Sequence, residues 1–292
     1  MMALSAQDDN CYAYSDLQSP GQFRVLELES GEGERPIVCY LRPEAVDESR
    51  PYEAISYCWG SQEKVHKIHV DGQFLWITAS LRDALRRVRL PHARRRVWAD
   101  AICINQENLQ ERQDQVALMT RIYWRASRVL VWVGSDDNGE ARLCQETIEG
   151  LVDACREKIK KDRRAHLDFK NPDQFKAIVE GVRISGFPAD TVIHSIARFF
   201  DKPWFRRVWV IQEVADGRKA DVLYGDCSIS WYSVGLFSLW ASENDHASML
   251  RAASQLPGMY NAKLMCTKSH QYETYVPIPT MLHSARDFEV SS

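Results

Sequence analysis

The chain has no apolar run near the roughly 18 residues that a membrane span requires. Its first residues, MMALSAQDDNCYAYSD, lack a basic n-region and an apolar h-region. No secretory signal is read there, and a cytoplasmic location is expected. A phosphate-binding GxxxxGK[ST] loop and a dinucleotide-binding GxGxxG turn are both missing. None of the eight cysteines, at 11, 39, 58, 103, 144, 155, 227 and 266, forms a CxxC pair. They read as reduced core thiols, Cys58 and Cys103 included, and neither disulfides nor a zinc site is expected. His66-Lys-Ile-His69 lies in a strand-like run whose alternation separates the two imidazoles, so no metal is assigned to it. Basic excess is absent too: 37 Lys and Arg face 40 Asp and Glu, for a net charge of −3. That argues against nucleic acid as a partner. The cluster Arg82, Arg86, Arg87, Arg89 and Arg94 to Arg96 is only a local basic patch. No internal repeat, low-complexity tract or Ser-His-Asp arrangement is legible.

What remains is ordinary globular material, 45% hydrophobic and 26% charged, with enough chain for one large core or two small ones. Residues 1–22 read as a flexible lead-in. Phe23–Leu28 and Pro36–Leu41 alternate like paired strands around Ser30-Gly-Glu-Gly33. Tyr52–Gly60 reads as a buried strand stopped by glycine. Val65–Val70 and Phe74–Ile77 flank Asp71-Gly72, a two-residue hairpin signal. Thr78 or Ser80 caps a helix with Leu81, Ala84, Leu85 and Val88 on one stripe. Val97–Ile104, apolar apart from Asp100, has the texture of a central parallel strand. Glu107–Ala126 reads as a helix burying Val116, Met119, Ile122, Tyr123 and Ala126, and Val129–Gly134 as another buried strand. Residues 136–200 read as a solvated helical insertion that ends in an amphipathic helix, Ala189–Phe200. Asp221–Tyr224 and Ser228–Trp231 bracket a last hairpin turn at Gly225-Asp226, and 232–256 look helical. Alternating strands and helices predict an α/β fold with a mainly parallel central sheet.

Three segments carry a resemblance: Tyr52-Glu-Ala-Ile-Ser-Tyr-Cys-Trp-Gly60, Val97-Trp-Ala-Asp-Ala-Ile-Cys-Ile-Asn-Gln106 and Trp204-Phe-Arg-Arg-Val-Trp-Val-Ile-Gln-Glu213. They resemble the signature blocks of the heterokaryon-incompatibility (HET) domain. Arg112-Gln-Asp-Gln-Val through Val131-Trp-Val-Gly134 fits the same family in order and spacing. The resemblance implies one HET domain over 23–292, with a signature core at 52–214. It also implies a role in fungal non-self recognition and programmed cell death, with self-association and NOD-like or other recognition proteins as partners. The chain stops at Ala285-Arg-Asp-Phe-Glu-Val-Ser-Ser292, where many family members continue into a block reading roughly DPRDKVYALLG, so either a truncated end or a short family member is expected.

A more distant similarity is to TIR domains. Tyr52–Tyr57 is similar to their opening YDAFISY strand, and Trp209-Val-Ile-Gln-Glu213 to their WCxxE element. The resemblance implies a TIR-like three-layer domain with added β-hairpins. It makes Glu213 the catalytic carboxylate of a nucleosidase acting, when clustered, on NAD or a related nucleotide, with NAD as substrate rather than cofactor. The alternative is a non-enzymatic adaptor that triggers cell death through homotypic protein contacts. Cleavage of the nicotinamide–ribose bond passes through an oxocarbenium-like state that a fixed carboxylate stabilises. Trp209 offers a stacking platform one helical turn earlier. Tyr57 and Trp59 offer an opposite wall, and Gly60 close backbone approach. Asp100, Asn105 and Gln106 complete the expected contacts, and Trp59, Asp100, Asn105 and Glu213 are expected to converge on one sheet edge. Structural readings stand beside these. Glu213 is either catalytic or ion-paired with Arg206 or Arg207. Asp100 is either a site residue or a satisfied core group bound to backbone or Arg112. Asn105-Gln106 either contacts a ligand or caps the next helix, and Glu53 pairs with a basic neighbour.

Overall fold

The computed structural model describes residues 10–161, 178–184, 189–207, 213–214, 219–243 and 257–269. The chain divides into two compact units, Met1–Ser127 and Arg128–Ser292. Both mix strands and helices, so the α/β class holds, but the strand pairing is mixed rather than mainly parallel.

In the first unit, β1 (Gln22–Leu28), β2 (Val38–Ala45), β3 (Glu53–Tyr57), β4 (Lys64–Val70), β5 (Gln73–Thr78) and β6 (Arg95–Trp98) line up in the order β5-β4-β2-β1-β6-β3. The β1–β2 and β4–β5 hairpins are antiparallel, as is β1–β6, whereas β2–β4 and β3–β6 are parallel. Both hairpins follow the sequence pattern. At the tip of the second, Asp71 (φ 49°) and Gly72 (φ 82°) are left-handed, the backbone that a tight two-residue turn needs. α1 (Ala79–Val88) begins where Thr78 Oγ1 accepts the Leu81 N–H, and it buries Leu81, Ala84, Leu85 and Val88 against β3, β4 and β5.

The predicted strand Val97–Ile104 is corrected. β6 starts earlier, at Arg95, and stops at Trp98; the chain then makes a helical turn, α2 (Asp100–Cys103). Ile102, Cys103 and Ile104 are buried all the same, and an unbroken apolar run cannot tell a strand from a buried helical turn. α3 (Leu109–Arg125) follows, capped by Asn108, whose Oδ1 accepts the Gln110 and Glu111 N–H groups. Its buried residues are Glu111, Gln115, Ile122 and Tyr123, while Val116 and Met119 are only half-buried. Tyr123 stacks edge-on to Trp98 with centroids 5.3 Å apart, and Tyr52 Oη donates to the Ile122 carbonyl at 2.6 Å.

In the second unit, β7 (Arg128–Gly134) runs parallel to β8 (Ala220–Tyr224), and β9 (Cys227–Ser230) returns antiparallel through the expected Gly225-Asp226 turn. Among the described residues they are accompanied by the helices α4 (Ala141–Lys161), α5 (Asp190–Phe200), α6 (Trp231–Glu243) and α7 (Pro257–Ser269). The described part of the region predicted as a solvated insertion contributes to the core. α4 buries Cys144, Ile148, Leu151, Val152 and Cys155 and packs on α5, α6 and β9; its charged end, Glu157–Lys161, faces water. Phe199, Phe200, Phe205, Trp204 and Phe237 are fully buried among one another. Residues 162–164 and 244–256, also read from the sequence, lie outside the described residues.

Trp98 is fully buried and Met119 is not, so the two should respond differently to truncation. Trp98→Ala should cost about 3–5 kcal/mol in urea unfolding and Met119→Ala under about 2 kcal/mol. Equal losses would contradict this packing.

Candidate functional site

The carboxyl end of β3 and the α2 turn meet in the first unit. Past Tyr57 the chain leaves the sheet through Cys58 and Trp59 to Gly60, whose φ of 63° is a backbone that side chains with a Cβ rarely adopt. Ser80 Oγ, in α1, donates to the Cys58 carbonyl at 2.6 Å and so ties down this exit. Trp59 Nε1 donates to Asp100 Oδ2 at 3.0 Å, while Asp100 Oδ1 accepts the Ala101 N–H at 2.8 Å. Gln106 Nε2 closes the turn on the Asp100 carbonyl at 2.9 Å. Asn105 Oδ1 accepts the Glu107 N–H at 3.2 Å, a local turn bond; the cap of α3 is Asn108.

Trp59, Asp100, Asn105 and Gln106 are all half-buried, and Gly60 is exposed. Tyr57, by contrast, is a core side chain at 2% exposure, so it underlies this rim rather than lining an open wall. An indole tethered by its own N–H keeps its ring faces for stacking. The carboxylate beside it can accept further hydroxyl donors.

Beneath the rim lies a charge pair that the sequence reading missed. Arg24, on β1, is 1% exposed, and its guanidinium binds both Glu111 oxygens, at 2.5 and 3.1 Å. Arg24 Nη1 also donates to the Cys103 carbonyl at 3.1 Å, and Nη2 to the Ser15 carbonyl at 2.6 Å. Glu111 Oε1 accepts the Asn105 N–H at 2.8 Å. Tyr14 covers the guanidinium with its ring at 5.1 Å and donates from its hydroxyl to the Ile102 carbonyl at 2.9 Å. Burial pushes the Tyr14 phenol up, so it stays a protonated donor. A signal for the pair was present in Arg24, which interrupts a strand-like apolar run and, once buried, needs compensation.

Glu213 belongs to the second unit and is 5% exposed, in a helical segment with Val214. Of the two arginines the sequence offered it, Arg206 is paired with Asp201. Trp209 lies outside the described residues. Elsewhere, Glu53 binds Arg95 through both oxygens, as expected. His66 contacts the Arg82 guanidinium, and His69 packs on Phe74 with centroids 4.8 Å apart. Among the described residues no three His, Cys, Asp or Glu gather to hold a metal, and no helix is long and apolar enough to cross a membrane.

The Cys103 thiol of the α2 turn is a poor nucleophile. Burial pushes Cys103 up to about 12, and in the second unit Cys144 likewise, whereas Cys11 is exposed. At pH 8 a thiol with a pKa near 12 is thiolate in only about one molecule in 10⁴. Iodoacetamide should therefore label Cys11 rapidly and Cys103 only on unfolding, as read by mass spectrometry. Labelling of Cys103 at the Cys11 rate in the folded protein would contradict its burial.

Comparison with known proteins follows the same segments. The model of the family described as Heterokaryon incompatibility protein (HET) matches residues 52–213, more than half of the chain, with residues from both units. Heterokaryon incompatibility protein 6, OR allele, of Neurospora crassa is 31% identical over 243 residues. That match covers 73% of this chain and 35% of the relative, so the chain spans about a third of that protein's length. No solved structure matches the chain. With this family match and this relative, the chain belongs to the heterokaryon incompatibility (HET) family.

Proposed function

We propose that this chain is a cell-death module of fungal non-self recognition that, when clustered in the cytoplasm, cleaves the nicotinamide–ribose bond of NAD or a related nucleotide. Family membership and the relative's name support the recognition role. Whatever the longer relative does as a whole comes to this chain only as part of the proposal. The TIR-like segments support the chemistry, and NAD is substrate rather than cofactor. The observation that carries the reading is the Trp59–Asp100 hydrogen bond at the end of β3. It places a stacking surface and a carboxylate side by side, a pairing suited to a base or nicotinamide ring and its ribose hydroxyls.

In this reading Glu213 is the catalytic carboxylate. A buried carboxylate acts through a medium poorer in water than bulk solvent, where its charge does more to stabilise a developing oxocarbenium. Trp59, Asp100, Asn105 and Gln106 bind substrate; Gly60 admits close approach, Tyr57 backs the rim and Trp209 adds an aromatic platform. Clustering is by self-association, with NOD-like or other recognition proteins as triggers.

A second reading, a non-enzymatic adaptor, draws on two apolar side chains that α3 leaves in water, Leu109 at 63% and Trp124 at 49% exposure. An exposed aromatic such as Trp124 serves as an anchor in protein interfaces.

Glu213→Gln preserves shape and removes charge. It should lower nicotinamide release by about 10²-fold or more and abolish killing, with the melting temperature kept. Asp100→Asn should weaken substrate binding. A well-folded Glu213→Gln protein that kills fully would remove Glu213 from the mechanism and favour the adaptor.

A further inference from the structure

β5 is an edge strand of the first unit, and an edge offers unpaired N–H and C=O groups to any passing strand. Proteins commonly guard such edges with lysine or proline, yet Gln73-Phe-Leu-Trp-Ile-Thr78 contains neither and carries no charge. Its guard is a strap from the chain's own N-terminal segment. The Phe74 N–H donates to the Asn10 carbonyl at 2.9 Å, and the Tyr12 N–H donates to the Phe74 carbonyl at 2.7 Å. Among the described residues the strap bonds to this one residue of the edge.

Outward-facing backbone groups recur at every second residue of an edge, so Trp76 turns its N–H and C=O the same way as Phe74. Among the described residues no backbone group is bonded to them. The Trp76 side chain is 38% exposed, with Lys67 Nζ 4.8 Å from its ring centroid and 5.1 Å from that of Phe74. An aromatic edge with open backbone groups therefore continues past the end of the strap.

We infer that the β5 edge is a strand-addition surface for a second copy of this chain, and that the N-terminal strap competes with that copy for it. The seated strap shows the backbone groups of Phe74 on this edge bonded to an added backbone. The occupant is a second copy because an uncharged strand opposes no like charge when paired antiparallel with itself. Trp76 then faces Trp76 of the other copy, and the two exchange both N–H···O bonds. The nearest lysine, Lys67, sits one strand inward, so its counterpart lies three strand spacings away, roughly 14 Å. That exceeds the screening length of about 8 Å at physiological salt. With the strap in place only Trp76 is available; with it displaced, Phe74 joins and the paired register lengthens.

The strap also reaches the candidate rim, through Tyr14 Oη on Ile102 and Ser15 O on Arg24. Its displacement loosens the α2 turn that carries Asp100, which couples association to the site. This coupling rests on the reading that the chain acts when clustered.

Sedimentation velocity of the full chain across a wide concentration range tests the inference. Tyr12→Pro removes the strap's donor to Phe74 and should tighten self-association by about tenfold, the equivalent of one or two backbone hydrogen bonds. Trp76→Pro should leave a monomer in either background, because its N–H points away from β4 and no ladder bond is lost. Circular dichroism reports whether the fold survives; if the proline variant unfolds, Trp76→Lys sets charge against charge and should give the same monomer. A folded Trp76 variant that associates like the parent, or a Tyr12→Pro chain no tighter than the parent, would overturn the inference. So would a chain that stays monomeric while capturing an extended acidic peptide at this edge. Loss of nicotinamide release or killing with association as described would count against the proposed activity and leave the edge assignment standing.

Discussion

The buried pair of Arg24 and Glu111 is the constraint on which the first unit depends. Taking two charges out of water costs several kcal/mol per ion, and only close geometry with every donor engaged offsets that. Here the guanidinium binds both carboxylate oxygens, the Cys103 carbonyl and the Ser15 carbonyl, and one carboxylate oxygen also takes the Asn105 N–H. Strand β1, helix α3, the α2 turn and the N-terminal strap therefore meet at one charge pair. Removing either partner leaves the other buried and uncompensated, which is more damaging than the loss of one contact.

The rim inherits its order from that pair. α2 is four residues long, and so short a helix is not stable by itself. It is held by Arg24 on Cys103, Tyr14 on Ile102 and Gln106 on Asp100. Only a turn held in this way can present Asp100 to the Trp59 indole at a fixed distance. The HET signature segments gain a physical meaning from this arrangement. The first delivers Trp59 and Gly60 at a strand end, and the second delivers Asp100 and the residues that lock its turn.

Much of this was legible in the sequence where the signal is local. Asp71-Gly72 marked a hairpin because its backbone demands are met by few residues, and the α1 stripe followed from helical spacing. The readings that failed turn on tertiary context. Val97–Ile104 looked like one strand because burial, not conformation, sets its apolar texture. On α3, Val116 and Met119 seemed the core face, whereas Glu111 and Gln115 hold it, since Arg24 and the Gln22 carbonyl await them. Tyr57 passed for a pocket wall because it stands with Trp59 at the carboxyl end of β3, yet four consecutive residues of that strand, Ala54 to Tyr57, are buried and the side chain belongs to the core. Within the candidate site, hydrogen bonds join Trp59 and Gln106 to Asp100, whereas the groups that fix this turn, Arg24 and Glu111, were not read from the sequence.

The claim that the buried pair sets the rim is most directly tested by hydrogen exchange on Glu111→Gln. Removing the charge should leave Arg24 uncompensated and speed amide exchange across 101–107 markedly, with the β4–β5 hairpin unchanged and Trp59 fluorescence shifted towards that of an exposed indole. Unaltered exchange across 101–107 in a folded Glu111→Gln protein would contradict the account.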